Sequence, residues 1–194
     1  MNENVSKVLI GLESNNINAV YAETKAEVCE IVKNMLSYGA VITAGGSMSL
    51  KESGVWDIIN SPEYDFRDRT KSGISDEERL EAFKSAIGCD FFFCSTNALT
   101  EKGELVNVDG NGNRVASLVY GPDHVMILAG MNKVAMDEES AIKRVHTAAA
   151  PMNTVRLGLN TPCSTTGGCK NCLSPDCVCA LTVITRYNRL KGRI

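Results

Sequence analysis

The stretch AVITAGGSMSLKESG, residues 40–54, decides the fold class. It opens with AVITA, a run of small and β-branched apolar residues that is typical of a buried strand. Two glycines and a serine follow at once, and the segment MSLKESG then has the composition of a helix start. A strand that passes through a tight turn into a helix is the repeating unit of parallel α/β sheets. The stretch therefore predicts an α/β domain.

The same alternation of apolar strands and helices continues on both sides of this stretch. Thr24, with Glu27 three residues later, predicts a capped helix that ends before Gly39. Buried strands are predicted at residues 90–94 and 124–129, where the sequence reads DFFFC and HVMILA. The other predicted elements are a helix over residues 3–14, a strand over 17–21, a helix over 76–87, apolar runs at 106–108 and 115–119 around a DGNGN turn, a helix over 137–149 ended by Pro151, and an apolar segment from Leu181 that returns to the sheet or packs as a helix. This order predicts a mainly parallel sheet.

Length and composition narrow the class of protein. A chain of 194 residues suits a single domain over residues 1–194, and it can bury a core without disulfides. The formal net charge of −3 offers no basic surface for nucleic acid, and no apolar run is long enough for membrane insertion. The first residues lack the pattern of a signal peptide. We therefore expect a cytoplasmic protein, in which disulfides are rare.

Five cysteines fall within the irregular segment at about 160–180, with the spacing C-x5-C-x2-C-x4-C-x-C. Thiolates are soft ligands that suit zinc and iron–sulfur clusters, and a C-x2-C pair can chelate one metal from a tight turn. The predicted metal ligands are Cys163, Cys169, Cys172 and Cys179, while Cys177 is the spare thiol. Free thiols and disulfides stay open as alternatives.

Polar residues follow two of the predicted strands. Gly45, Gly46 and Ser47 leave a strand end and begin a helix, where backbone amides favour an anion and glycine permits close approach. Thr96 and Asn97 follow another strand end. Since ligands bind beyond the carboxyl ends of parallel strands, we expect both segments to border one pocket. The alternative is that the glycines serve the turn alone.

Further along the chain, Glu104, Asn153 and Arg156 complete the candidate pocket. Glu104 stands at a predicted strand start and could act as acid, base or nucleophile. Arg156 could hold a small carboxylate or a phosphorylated ligand through two parallel hydrogen bonds. Each of these residues could instead be structural or solvated.

Four segments, in this order along the chain, resemble the LUD (lactate-utilisation) domain family. They are ITAGGSMSLKESG at 42–54, STNALTEKGELVNVDGNG at 95–112, HVMILAGMNKVA at 124–135 and AAAPMNTVRL at 148–157. The tail PCSTTGGCKNCLSPDCVC, at 162–179, resembles that of a LutC-like, cysteine-bearing branch.

The resemblance implies a fold like that of CoA transferases and ribose-5-phosphate isomerases, which is a three-layer α/β sandwich with a mainly parallel sheet. It also implies a role in the oxidation of lactate, or a similar 2-hydroxy acid, through an iron–sulfur protein complex. The chain would then be a subunit or a ligand-binding accessory with iron–sulfur protein partners. This association favours an iron–sulfur cluster over zinc in the cysteine loop, and homo-oligomer formation stays open.

Two other functions stay open. The implied fold suggests a self-sufficient enzyme on a sugar phosphate or an acyl-CoA, in which Glu104 could act as one glutamate does in CoA transferases. Ser95-Thr96-Asn97 stands where initiation-factor-2B-like sugar isomerases have Gly-Ala-Asp, so the isomerase acid is missing. The third possibility is a metal- or redox-sensing protein, because clustered thiols respond to oxidation.

Overall fold

A computed structural model of the protein describes residues 3–194. The chain divides into two compact units, named here for their sheets. The parallel-sheet unit consists of Val20–Ser95, Ala116–Ala129 and Leu190–Ile194. The mixed-sheet unit consists of the chain up to Ala19, Thr96–Val115 and Gly130–Arg189.

The helices and strands follow one another in the order α1 (Glu3–Ser14), α2 (Lys25–Met35), β1 (Val41–Ala44), α3 (Met48–Glu52), α4 (Val55–Ile59), β2 (Asp65–Phe66), α5 (Asp76–Ser85), β3 (Phe91–Cys94), β4 (Ala98–Thr100), β5 (Leu105–Asp109), α6 (Asn113–Val119), β6 (His124–Ile127), a 3₁₀ turn (Met131–Lys133), β7 (Val134–Ala135), α7 (Glu138–Arg144), a π-helical turn (Val145–Ala149), α8 (Ala150–Arg156), α9 (Pro162–Thr166) and β8 (Leu181–Thr185). No helix among the described residues has the length and apolarity needed to cross a membrane.

The parallel-sheet unit is built on a sheet with the strand order β2-β1-β3-β6, in which every neighbouring pair is parallel. Ile42 and Phe93 are fully buried on one face, and apolar side chains of α2, α3 and α4 pack there. The run AVITA therefore forms the predicted strand, because both its neighbours and the covering helices bury it. The α/β class and the mainly parallel sheet are confirmed, and helices packed on a parallel sheet are consistent with a three-layer sandwich.

The mixed-sheet unit is built on a sheet with the strand order β7-β4-β5-β8. β4 and β5 form an antiparallel hairpin, β8 pairs antiparallel with β5, and β7 pairs parallel with β4. Val106 and Val108 of β5 pack against Ala141 and Val145 on the helix that follows β7. The apolar segment from Leu181 thus returns to a sheet, which was one of its two predicted outcomes.

A helix, α6, occupies residues 113–119 where the sequence pattern predicted an apolar run beyond a turn. The reason lies in Asp109. Its carboxylate accepts hydrogen bonds from the backbone N–H groups of Asn111, Gly112 and Arg114, at 3.2, 3.0 and 3.2 Å. These bonds satisfy donors that a starting helix leaves without partners, so the chain leaves β5 directly into a helix.

The strand predicted at residues 17–21 is also wrong, because this segment is irregular in the structure. Ile17 is buried, but Val20 is 72% exposed. A β-branched residue in this position therefore gains no packing from a sheet, and packing is the main source of strand preference.

The helix predicted to stop before Pro151 continues through it. α7, the π-helical turn and α8 are consecutive, and Pro151 is buried near the start of α8. Proline lacks an N–H and its ring clashes with the carbonyl one turn earlier in an α-helix. The widened π turn directly before it is one of the ways by which a helix accommodates such a mismatch. Asn153 and Arg156 therefore lie on a helix and do not follow a chain break.

α1 lies against the turn between β4 and β5 so closely that neither side has room for a side chain. A Cβ on Gly11 would be 2.6 Å from the carbonyl oxygen of Glu101, and a Cβ on Gly103 would overlap the Gly11 backbone. Asn15 adds a hydrogen bond of 2.7 Å from its Nδ2 to the carbonyl oxygen of Lys102.

We expect Gly103→Ala to lower the free energy of unfolding by about 3 kcal/mol or more, because overpacking adds to the strain of alanine at positive φ. Gly158→Ala is the matched control in the same unit. Gly158 has a φ of +64°, against +82° at Gly103, but its Cβ would meet no described atom within 4 Å. The control should lose only about 1–2 kcal/mol. Equal losses in denaturant unfolding would show that the close approach of α1 does not matter.

Candidate functional site

All five cysteines of the predicted metal loop border one small cavity. The wall is completed by residues of α8 and of the segments around the loop, and the cavity volume is about 10 Å³. This volume suits one water-sized group. The lining residues are Ala150, Pro151, Thr154, Thr161, Cys163, Cys169, Lys170, Cys172, Cys177, Val178 and Cys179. The loop therefore folds around a common centre, as its cysteine density suggested.

Cys163 lies on α9, a short helix within the segment that the sequence predicted to be irregular. Thr161 caps this helix in a reciprocal capping box with Ser164. The Cys163 side chain is buried, and its sulfur lies 3.3 Å from the hydroxyl of Thr161 and 3.5 Å from the hydroxyl of Thr154. These two hydroxyls hold the Cys163 thiol in the wall of the cavity.

Cys169 is paired with a histidine that the sequence pattern did not single out for this role. Its sulfur lies 3.3 Å from Nδ1 of His146, which belongs to the π-helical turn. The backbone N–H of Asn171 also donates to this sulfur, at 3.3 Å. The backbone of Asn171 is left-handed, with a φ of 49°, and this lets the chain turn tightly between Cys169 and Cys172.

The remaining thiols differ in their surroundings. Hydrogen bonds from the backbone and side chain of Ser174 lower the pKa of Cys172, and the Ser174 hydroxyl is 3.7 Å from its sulfur. Burial, and then the negative charge of the neighbouring thiolates, raises the pKa of Cys179. Cys179 also contacts the apolar cluster of the mixed-sheet unit. Cys177 and Cys179 are both half-buried, so exposure does not distinguish the predicted spare thiol from the predicted ligand.

The donor set fits a soft metal in its chemistry. Five cysteines, none of which forms a disulfide within residues 3–194, surround one cavity. Within residues 3–194, however, no three His, Cys, Asp or Glu side chains are already placed to hold an ion together. Coordination would therefore require the thiol side chains to move closer together.

A buried polar network surrounds Asn97, one of the predicted ligand-binding residues. Nη2 of Arg114 donates to Oδ1 of Asn97 and to the carbonyl oxygen of Val108, both at 2.7 Å. Nη1 of Arg114 donates to Oδ1 of Asn107, also at 2.7 Å, and the Asp109 carboxylate lies 3.8 Å from Nε. The side chain of Asn97 thus helps to hold β5 and the start of α6 together.

The sequence pattern does not identify Arg114, because an arginine after a glycine-rich turn belongs to no motif. Its side chain is 13% exposed, and it orients the amide of Asn107 by claiming the amide oxygen. The Nδ2 atom of Asn107 is buried and has no hydrogen-bond partner within residues 3–194. A buried donor without a partner costs about 1–3 kcal/mol.

The backbone of Asn97 is held from a second direction. Nη1 of Arg144 donates to the carbonyl oxygen of Asn97 at 2.6 Å, and Nε of Arg144 donates to the carbonyl oxygen of Asn132 at 3.0 Å. Burial lowers the pKa of Arg144. The neighbouring Thr96 is buried and donates from its hydroxyl to the carbonyl oxygen of Ala98 at 2.7 Å. Thr96 and Asn97 are therefore firmly positioned.

Glu104 lies in the turn of the β4–β5 hairpin and is half-buried. Its carboxylate accepts a hydrogen bond of 3.0 Å from the hydroxyl of Thr100, and the same hydroxyl accepts from the Glu104 backbone N–H at 3.1 Å. The carboxylate therefore has a local partner. Its predicted catalytic role remains a prediction.

Gly45, Gly46 and Ser47 connect β1 to α3 in the parallel-sheet unit. The N–H of Gly45 donates to the carbonyl oxygen of Phe93 at 2.8 Å, which extends the pairing of β1 with β3. The hydroxyl of Ser47 accepts from the N–H of Leu50 at 3.4 Å and so caps α3. Gly46 alone of the three residues is exposed.

Asn153 and Arg156 lie one turn apart on α8. The guanidinium of Arg156 donates to Oδ1 of Asn153 from Nε and Nη2, at 3.2 and 2.6 Å. Arg156 is exposed. These two residues, with Thr96, Asn97 and Glu104, belong to the mixed-sheet unit, whereas the glycine loop belongs to the parallel-sheet unit. Their convergence on one pocket remains a prediction.

The fold and this cavity define an α/β protein with a clustered-thiol site. A comparison with known families gives the family of the chain. The sequence matches the LUD domain over residues 5–194, and the protein therefore belongs to the LUD domain family. This match spans segments of both compact units. No curated protein matches the chain.

We expect Arg114→Lys to lower the free energy of unfolding by about 2 kcal/mol or more, because lysine cannot serve several acceptors at once and charged hydrogen bonds contribute about 1.5–3 kcal/mol. Arg156→Lys, the same substitution at an exposed position of the same unit, should change it by less than about 0.5 kcal/mol. Denaturant unfolding measures both. A loss at Arg114 no larger than that at Arg156 would show that the network is not structural.

Proposed function

We propose that this LUD-family protein supports the oxidation of lactate or a similar 2-hydroxy acid. It would act as a subunit or ligand-binding accessory of a redox complex that contains iron–sulfur proteins. Membership of a family related to lactate utilisation supports the substrate class. The observation that carries the redox role is the cavity bordered by all five clustered thiols.

The cysteine cavity is the proposed site of a metal centre, either zinc or an iron–sulfur cluster. Thiols that approach one another closely repel when they ionise, and this effect contributes to the raised pKa of Cys179. A cation among them removes the repulsion and binds the thiolates that it stabilises. When bound, a cluster would supply one-electron transfer, whereas zinc would stabilise the loop. Cys169 and Cys172, which have two residues between them and lie on either side of the Asn171 turn, form the core of the ligand set.

The proposed ligand is a small carboxylate or a phosphorylated molecule. Arg156 supports this class because its guanidinium is exposed and can turn from Asn153 towards an anion. Thr96 and Asn97 would act as positioning residues, since their hydrogen bonds already tie them to neighbouring strands. Within the mixed-sheet unit, Glu104 would be the acid or base; within the parallel-sheet unit, Gly45, Gly46 and Ser47 would offer backbone amides to an anion.

We expect protein purified without oxygen to contain about one metal centre per chain. Iron, zinc and acid-labile sulfide analysis, together with the absorption spectrum, distinguishes a cluster from zinc. Cys169→Ser and Cys172→Ser should strip the metal, because serine is a poor ligand for soft metals. Cys29→Ser is the matched control, since Cys29 lies in the other unit and its thiol donates to the carbonyl oxygen of Ser53. If the purified protein contains no appreciable iron and no appreciable zinc, the proposed metal centre is refuted.

We also expect that a host carrying this protein loses growth on lactate, but not on pyruvate, when the protein is deleted. Pyruvate is the control because it enters metabolism after the proposed oxidation. Wild-type protein should restore growth, and Cys169→Ser should not. Unimpaired growth of the deletion strain on lactate would contradict the proposed role. Turnover of a sugar phosphate or an acyl-CoA by the isolated chain would favour the enzymatic alternative.

A further inference from the structure

Of the two histidines, His146 is the one that lies next to the clustered thiols. His124 lies in the parallel-sheet unit, where its ring stacks on Phe91 and its Nδ1 is 3.1 Å from the carbonyl oxygen of Gly192. His146 instead directs Nδ1 to the sulfur of Cys169, at 3.3 Å.

We infer that a single metal ion binds between the clustered thiols and His146, which lies beside the cavity against Cys169, and that His146 takes the place that sequence spacing assigned to Cys163. The ligands are Nδ1 of His146 and the sulfurs of Cys169, Cys172 and Cys179. This inference rests on the proposed metal centre and specifies its ligands and its size.

The separation of the first two donor atoms supports this assignment. A tetrahedral zinc ion lies about 2.3 Å from sulfur and about 2.0–2.1 Å from nitrogen, which places such ligand atoms roughly 3.5 Å apart. Nδ1 of His146 and the sulfur of Cys169 are 3.3 Å apart. These two atoms therefore already have nearly the spacing of neighbouring ligands, whereas the sulfurs of Cys172 and Cys179 would have to move towards them to complete the site.

The surroundings of the two side chains suit a metal site. The N–H of Asn171 donates to the sulfur of Cys169, and hydrogen bonds to a ligand sulfur orient it and tune the metal. His146 lies on the π-helical turn, a local widening that is frequent at functional sites of helices. A ligand on a packed helix is held in place before the ion binds, which lowers the ordering cost of coordination.

Cys163 has a different environment. Its sulfur is buried between the hydroxyls of Thr154 and Thr161, and α9 fixes its backbone. These contacts explain a cysteine at this position without a metal.

Cobalt(II) titration of the reduced full-length protein, without oxygen, tests the inference. Tetrahedral Co²⁺ reports its donors through its ligand-field bands, and the thiolate-to-metal charge-transfer band scales with the number of thiolates. We expect His146→Asn to weaken Co²⁺ binding by at least about tenfold, since even outer-shell partners of ligands contribute 10–100-fold. Cys163→Ser and the histidine control His124→Asn should retain wild-type affinity and spectrum. His146→Cys should restore binding with a stronger charge-transfer band.

The outcomes separate the two proposals. If wild-type protein binds neither Co²⁺ nor Zn²⁺, the proposed metal centre fails, and this inference fails with it. If wild-type protein binds Co²⁺ and His146→Asn binds it equally well with the same spectrum, only the histidine ligand is refuted. Loss of binding in folded Cys163→Ser would also refute the ligand set. Should His146→Asn fail to fold, nuclear magnetic resonance of the wild-type zinc form decides, because coordination through Nδ1 fixes the proton of His146 on Nε2.

Discussion

A proline inside a continuous helix is the constraint on which the mixed-sheet unit depends. Pro151 cannot donate a backbone hydrogen bond, and its ring excludes regular α-helical packing on the turn before it. That turn takes the wider π form over Val145–Ala149, and the helix then continues to Arg156. One continuous helix therefore contacts both the sheet and the cysteine cavity. Val145 packs on the sheet, and Thr154 borders the cavity.

Because these functions share one helix, the sheet and the cavity are mechanically connected within the unit. Arg144 holds the carbonyl oxygen of Asn97 next to β4, and two residues later His146 meets Cys169. A rotation of the helix that improved one contact would disturb the other. The apolar contact of Val145 with the sheet lies between them and resists such rotation, since close-packed interiors transmit strain more readily than they absorb it.

The fold was predictable where burial follows from local sequence, and not where a side chain redirects the backbone. The runs AVITA and DFFFC are apolar throughout, so their strands could be predicted without knowing their partners. Asp109 and Pro151 show the limit. Whether Asp109 starts a helix depends on three backbone groups that reach its carboxylate, and whether Pro151 ends one depends on the turn before it. Neither outcome is visible in the spacing of apolar residues.

The candidate site shows the same division. Five cysteines close in sequence could be expected to lie near one another, and all five border one cavity, while the metal site that their spacing predicted remains a prediction. Their individual surroundings could not be anticipated, because they come from distant segments. His146 is 23 residues from Cys169, and Arg114 is 17 residues from Asn97. Single histidines and arginines have no periodicity, so only tertiary contacts reveal them.

The order of the cysteine loop has a physical consequence for any ion that binds there. The loop is not held by apolar packing alone: the capping box at Thr161 fixes α9, and the carboxylate of Asp176 accepts a hydrogen bond from the N–H of Asn160 at 3.3 Å. The backbone of Gly110 lies close to Cys177: a Cβ on Gly110 would be only 2.8 Å from the carbonyl oxygen of Cys177. These contacts gather the thiols before an ion arrives, against the repulsion that raises the pKa of Cys179. An ion that binds there would remove that repulsion and would meet a loop whose backbone is already held, although the thiols must still move to coordinate it.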